Sequence, residues 1–125
     1  MNKTYTIVAD TNGTEVRADD LVSQPDSRDF RDAWVLDGAV ISEDMDLSRE
    51  ILRTEIRAAR EPFLAAEDVA YIRADEVGDE AAKRTSVARK QALRDAPALL
   101  AIDAATTIDE LRTAWPADLL GNYHE

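Results

Sequence analysis

The 125-residue chain has no cysteine, and its one histidine is His124. Disulfides, thiolate nucleophiles and cysteine metal sites are therefore excluded, and a lone histidine near a chain end is far more often solvated than catalytic. Only four glycines are present, scattered at 13, 38, 78 and 121, so no glycine-rich phosphate loop exists. No stretch approaches the roughly 20 apolar residues of a membrane span, and the first residues lack the apolar run of a signal peptide; a soluble chain is expected. Basic side chains are scarce, with 15 Lys and Arg against 26 Asp and Glu. A surplus of acid repels phosphate, because nucleic-acid affinity comes largely from Lys and Arg displacing counterions. No nucleic-acid partner, membrane contact or enzymatic activity is expected.

What is present is 45% apolar content, enough for one compact domain with a modest core. The acid lies at the two ends. Residues 1–46 carry four basic against eleven acidic side chains, residues 47–97 ten of each, and residues 98–125 one against five. The pattern predicts an α+β chain: a small antiparallel β-rich head of two hairpins (1–42), an α-helical hairpin (43–97), and a C-terminal segment with a short helix and a loose tail (98–125).

Tyr5-Thr6-Ile7-Val8-Ala9 has strand composition, and Asp10-Thr11-Asn12-Gly13 is turn material before a returning Thr14-Glu15-Val16-Arg17. The oxygens of Asp10, Asn12 and Glu15 also suggest part of a calcium loop, but the full pattern and its closing Glu are missing. Residues 19–31 read as a polar loop with a turn at Pro25 and Asp26-Ser27 and at most a short helical turn. A second hairpin follows, Ala33-Trp34-Val35-Leu36 and Ala39-Val40-Ile41, with Asp37-Gly38 as its two-residue turn. Trp34 is expected to cover the sheet.

Ser42, Asp44 or Asp46 is placed to cap the long helix that comes next. In it Leu52, Ile56, Ala59, Phe63, Ala66 and Ala70 recur at steps of four and three, which predicts one covered face. On that reading Phe63→Ala costs about 3–5 kcal/mol. Arg49, Arg53, Arg57 and Arg60 form a flanking stripe, with Glu61 one turn beyond Arg57 to pair with it. The stripe is either a solvated face or a docking ridge for an acidic partner. Pro62 predicts a kink or a fresh helix start. Gly78 is expected to break the helix and Asp79-Glu80 to begin the second, a simpler role for the acids at 75–80 than a cation site; no metal or cofactor is expected. In the second helix Val77, Ala81, Thr85, Ala88 and Ala92 line a small-residue face suited to helix packing, with Lys83, Lys90 and Arg94 pointing roughly the other way. Ala96-Pro97 stops it. Thr107-Ile108-Asp109-Glu110 matches a capping box for a short helix ending at Trp115-Pro116. Leu99, Leu100, Ile102, Leu111, Trp115, Leu119 and Leu120 are expected to pack back on the helices or on a partner.

Arg57-x-x-Arg60, Asp68, the run Arg89-Lys90-Gln91-Ala92-Leu93-Arg94-Asp95-Ala96-Pro97 and the ending from Leu111 to Trp115-Pro116 resemble the C-terminal helical module of small bacteriophage tail proteins. These are the tail-fibre assembly proteins and tail assembly chaperones. The resemblance covers roughly residues 50–116. Lys90 stands where those modules commonly carry arginine, and the Asp-Trp feature they often place between the helices is missing around residues 68–77. Residues 1–46 carry no family signal. The resemblance implies a non-enzymatic role in virion morphogenesis through protein–protein contact, with a phage tail or tail-fibre subunit as partner and self-association as the other contact it allows. A chaperone-like role in the host cytoplasm during assembly is one form; a structural tail, connector or decoration subunit of the mature virion is the alternative. The partner is expected to meet Arg53, Arg57 and Arg94, in the charge-balanced region, together with the apolar ending at Leu111 and Trp115. On this expectation Arg53→Glu with Arg57→Glu weakens partner binding and leaves the thermal midpoint nearly unchanged.

Overall fold

The computed structural model describes residues 7–18, 21, 23–25 and 29–123, Ile7 by its backbone alone. Tyr5, Thr6, the Asp26-Ser27 turn and His124 lie outside the described residues. The architecture is α+β. Two antiparallel hairpins, β1 (Ile7–Ala9) with β2 (Glu15–Arg17) and β3 (Trp34–Asp37) with β4 (Val40–Glu43), precede five helices. These are α1 (Met45–Glu76), α2 (Glu80–Asp95), α3 (Leu100–Ala104), α4 (Ile108–Ala114) and α5 (Ala117–Leu120). The chain divides into two compact units, Met1–Ile51 and Leu52–Glu125.

In the first unit the side chain of Asp10 ties the hairpins together. Its Oδ1 accepts the N–H groups of Asn12 and Thr14, each at 2.9 Å, which closes the β1–β2 turn. Its Oδ2 accepts the Leu36 N–H of β3 at 2.8 Å, and the adjacent Thr11 N–H donates to the Trp34 carbonyl at 2.9 Å. The Leu36 amide, foremost, and the Thr14, Asn12 and Gly13 amides hold the Asp10 carboxyl below its ordinary pKa, against the opposing pull of desolvation. The β3–β4 turn sits one residue later than the Asp-Gly signal suggests: Asp37 pairs with Val40, so Gly38 and Ala39 form the loop. Gly38, at φ +63°, thereby takes the first loop position, where both primed turns need a left-handed residue. Trp34 and Ile41 are buried as the strand pattern requires. Within the preceding loop Ser23 bridges to Val40, and Arg31–Ala33 forms the short helical turn. Of the three acceptors offered for the α1 cap, Asp44 serves, taking the Leu47 N–H at 3.0 Å, whereas Ser42 is paired in β4.

In the second unit α1 continues unbroken through Pro62, so no fresh helix begins there. The missing N–H orphans the Ala58 carbonyl, and both residues are exposed, which leaves that carbonyl to solvent. Before Pro62 the predicted face holds, with Leu52 and Ile56 fully buried. Beyond it the face rotates. Phe63 is 40% exposed, and Ala66 and Ala70 are exposed, while Leu64, Glu67 and Tyr71 are half-buried and Ala74 is buried. The same correction applies to α2. Val77, Ala81, Thr85 and Ala88 are exposed and Ala92 is half-buried, whereas Ser86 and Leu93 are buried and Lys83 and Lys90 half-buried.

The helical hairpin thus closes through polar side chains. Glu67 accepts the Ser86 hydroxyl at 2.9 Å and lies 3.5 Å from Arg89; Asp68 pairs with Lys90, and Asp75 with Lys83 at 2.8 Å. Each of these three acids of α1 meets a donor of α2 across the Gly78 turn. Alanine and threonine side chains bury too little apolar area to outweigh that register. The Asp75 hydrogen bond, first, raises the Lys83 pKa, and its ammonium lies 5.6 Å from the Tyr71 ring centre.

Gly78, at φ +71°, ends α1 in a Schellman motif: its N–H donates to the Asp75 carbonyl at 3.2 Å and the Asp79 N–H to the Ala74 carbonyl at 2.9 Å. Asp79 then caps α2 by accepting the Ala82 N–H at 3.0 Å. After Pro97, α3 and α5 add two short helices that composition alone did not suggest. Thr107 caps α4 through the Glu110 N–H at 3.1 Å, but the Glu110 carboxylate returns to the Thr106 N–H at 2.9 Å, one residue before the usual partner. Ile102, Leu111 and Leu120 are buried, whereas Leu100 is 83% exposed.

Two outcomes follow for stability. Leu111→Ala should cost about 2–5 kcal/mol. Phe63→Ala should cost only about 1–2 kcal/mol, the transfer value of a phenylalanine scaled to the part removed from water, and urea unfolding of the two variants separates these cases. The lowered Asp10 pKa adds stability that is complete above the ordinary Asp value of about 3.9 and is lost as pH falls through the lower folded value. Asp10→Asn should flatten that acid limb in urea midpoints taken from about pH 5 down to about pH 2.5; parallel acid limbs for variant and parent would contradict this role.

Candidate protein-binding surface

The arginine stripe of α1 faces two ways. Arg60 Nη1 donates to the carbonyls of Leu93 at 3.3 Å and Arg94 at 3.1 Å, and Arg53 Nε donates to the Pro97 carbonyl at 3.2 Å while its Nη2 pairs with Asp103 of α3. The last carbonyls of a helix lack intrahelical partners and carry the negative end of its dipole, so a guanidinium meets them favourably. Arg53 is consequently an internal clamp, its side chain 17% exposed, and not a free docking group. Arg57 is exposed, and among the described residues it forms no ion pair with Glu61. Arg94 has an exposed side chain; its backbone carbonyl serves Arg60.

The apolar ending is also turned inward. Leu111 is fully buried and belongs to the core. Trp115 is half-buried, its indole N–H donating to the Gly121 carbonyl at 2.8 Å and its ring centre 4.9 Å from that of Tyr123. Of the five residues expected to meet a partner, Arg57 and Arg94 remain on the surface; Arg53 and Leu111 do not, and Trp115 is partly covered by the chain's own end.

A different site emerges beside them. Phe63 and Glu67 of α1, Arg89 and Leu93 of α2, and Asp118 and Leu119 of α5 line a cavity of about 300 Å³. Three of its lining side chains are apolar, Phe63, Leu93 and Leu119, and three are charged, Glu67, Arg89 and Asp118. Sequence reasoning missed it because it assigned Phe63 to the interior. The usable signal was the set of α1 acids with donors across the Gly78 turn, Glu67, Asp68 and Asp75, which moves the inward face of α1 past Phe63. A second, shallower concavity of about 390 Å³ is walled by alanines of α3 and α4. The carboxylates at its edge are occupied, Asp109 by Arg112 and Glu110 by Thr106.

Among the described residues no group of three or more His, Asp or Glu is arranged to hold a metal ion, and no helix is long and apolar enough to cross a membrane.

The clamp has a direct test. Arg53→Ala should destabilise the second unit by about 1.5–3 kcal/mol, the range for hydrogen bonds to a charged group. Arg57→Ala should change stability by no more than about 0.5 kcal/mol. This replaces the expectation that reversing both arginines leaves the thermal midpoint nearly unchanged. No family model, curated protein or solved structure matches the chain.

Proposed function

We propose that the chain is a non-enzymatic, protein-binding accessory of a bacteriophage tail, a chaperone-like holder of a tail or tail-fibre subunit during assembly. The reading begins from the resemblance of residues 50–116. The observation that carries it is that Phe63, itself 40% exposed, lines a cavity with Leu93 and Leu119 on the helical hairpin, and that elsewhere on the hairpin Val69, Ile72, Val77 and Val87 are exposed. Large apolar groups held at the surface of paired helices suit the capture of an apolar segment of another protein. The net charge of −11 would keep holder and client dispersed while that segment is shielded.

Co-expression with phage tail and tail-fibre subunits tests the reading. One subunit should co-purify with the chain, and mass spectrometry of mature particles should find the subunit without the chain. Fixed stoichiometry in the particle would instead make it a structural tail, connector or decoration subunit. Failure of every tail subunit to co-purify would remove the proposal.

A further inference from the structure

We infer that Asn12 is a site of self-modification: with Gly13 it closes to a cyclic imide and deamidates, and the Asp10-centred tie between the two hairpins is the gate that holds this reaction back. The inference is independent of the protein-binding reading above.

The chain has three asparagines, Asn2, Asn12 and Asn122, and only Asn12 precedes a glycine. Ring closure brings the next backbone nitrogen onto the asparagine side-chain carbon, and a Cβ on that next residue obstructs the approach; glycine has none. Asn12 and Gly13 are both exposed, and among the described residues the Asn12 carboxamide meets no partner. Apart from its chain neighbours, nothing lies within 4 Å of where a Gly13 Cβ would stand, so base and water reach this side of the turn. A base removes the Gly13 amide proton, the nitrogen attacks Cγ of Asn12, and the side-chain nitrogen takes up a proton and leaves as ammonia. Water then opens the ring at either carbonyl. Breaking the new N–Cγ bond yields aspartate; breaking the original peptide bond yields isoaspartate, whose main chain runs through Cβ and Cγ.

The folded turn opposes the first step. The Gly13 N–H donates to the Asp10 carbonyl at 3.1 Å, and the N–H groups on either side of it, of Asn12 and Thr14, donate to Asp10 Oδ1, each at 2.9 Å. A hydrogen-bonded proton is harder to remove, and the neighbouring carboxylate disfavours the anion that its removal leaves. Three amides held by one residue also fix the backbone at Asn12, whereas ring closure requires it to turn. Asp10 is anchored in its own right by the Leu36 N–H of β3 at 2.8 Å, so the gate opens when the first hairpin parts from β3. Conversion is one-way. The isoaspartate main chain is longer by a methylene carbon, so the amides on either side of Gly13 no longer meet Oδ1 together, and either product sets a new carboxylate beside that of Asp10. Each conversion therefore leaves the tie between the hairpins weaker.

The full chain, incubated in mildly alkaline buffer across a urea series, tests this, with peptide mass spectrometry following the amide-to-acid mass change at each asparagine. The unfolded chain should convert at Asn12 ahead of Asn2 and Asn122. The native chain should convert at Asn12 about tenfold or more slowly, the protection expected of hydrogen bonds to a charged group. Below the unfolding transition its rate should be flat in urea, because parting the hairpins exposes little surface. Asp10→Ala should raise the native rate about tenfold or more. The converted parent should show faster hydrogen exchange at the Leu36 amide, and Asn12→Gln, whose longer side chain closes a ring less readily, should show neither conversion nor faster exchange. Conversion at another asparagine first, or a native chain as fast as the unfolded one, would overturn the inference. A native rate that climbs in step with global unfolding, or one indifferent to Asp10→Ala, would remove Asp10 as the gate. If Asp10→Ala unfolds the first unit, the urea profile of the parent decides alone. Unchanged Leu36 exchange after conversion would refute the loosening of the tie.

Discussion

The second unit depends on two arginines of α1 that meet the carboxyl-terminal end of α2. A helix leaves its last carbonyls without partners and gathers roughly half a negative charge there, so its end is stable only against a donor or a cation. Arg60 supplies both to Leu93 and Arg94. Arg53, two turns earlier on the same face, reaches the Pro97 carbonyl and Asp103. One face of one helix therefore secures the end of α2, the turn that follows it, and the start of the segment that carries α3 to α5. The buried Ile56 lies between the two arginines on this side of α1, and Ile102 and Leu111 are buried in the same unit.

That constraint has a consequence for what the hairpin shows to solvent. With the end of α2 held by Arg60, and with Glu67, Asp68 and Asp75 meeting Ser86, Lys90 and Lys83, the rotation of both helices is set by polar groups. The alanine-rich flanks are left outside. Had apolar burial decided the rotation, Phe63 would be in the interior and no cavity would open between α1, α2 and α5. The open flank is in this sense a by-product of an ionic register, and it is the feature on which the proposed protein-binding role rests.

Local signals were legible in the sequence wherever a single residue type decides the backbone. Gly78 with Asp79, Asp44 before α1, Thr107 before α4 and Pro97 after α2 all act where their chemistry places them, because capping depends only on neighbours a few residues away. Which face of a helix turns inward was not legible in the same way. The step-of-four-and-three pattern through Phe63, Ala66 and Ala70 is genuine, but alanine contributes so little on burial that longer-range pairs override it. The role of Arg53 was hidden for a related reason: its partners are 44 and 50 residues away in sequence. Asp10 shows the same limit, since its turn-closing bonds are local but its bond to Leu36 crosses 26 residues.

Urea unfolding of Arg60→Met probes the central claim most directly, because methionine keeps the apolar stem and removes the guanidinium. If the arginine secures the end of α2, the variant loses about 1–3 kcal/mol, and amides from Leu93 through Asp103 exchange faster than in the parent. Unchanged stability and unchanged exchange, with partner binding lost, would place Arg60 on a docking surface and contradict the account.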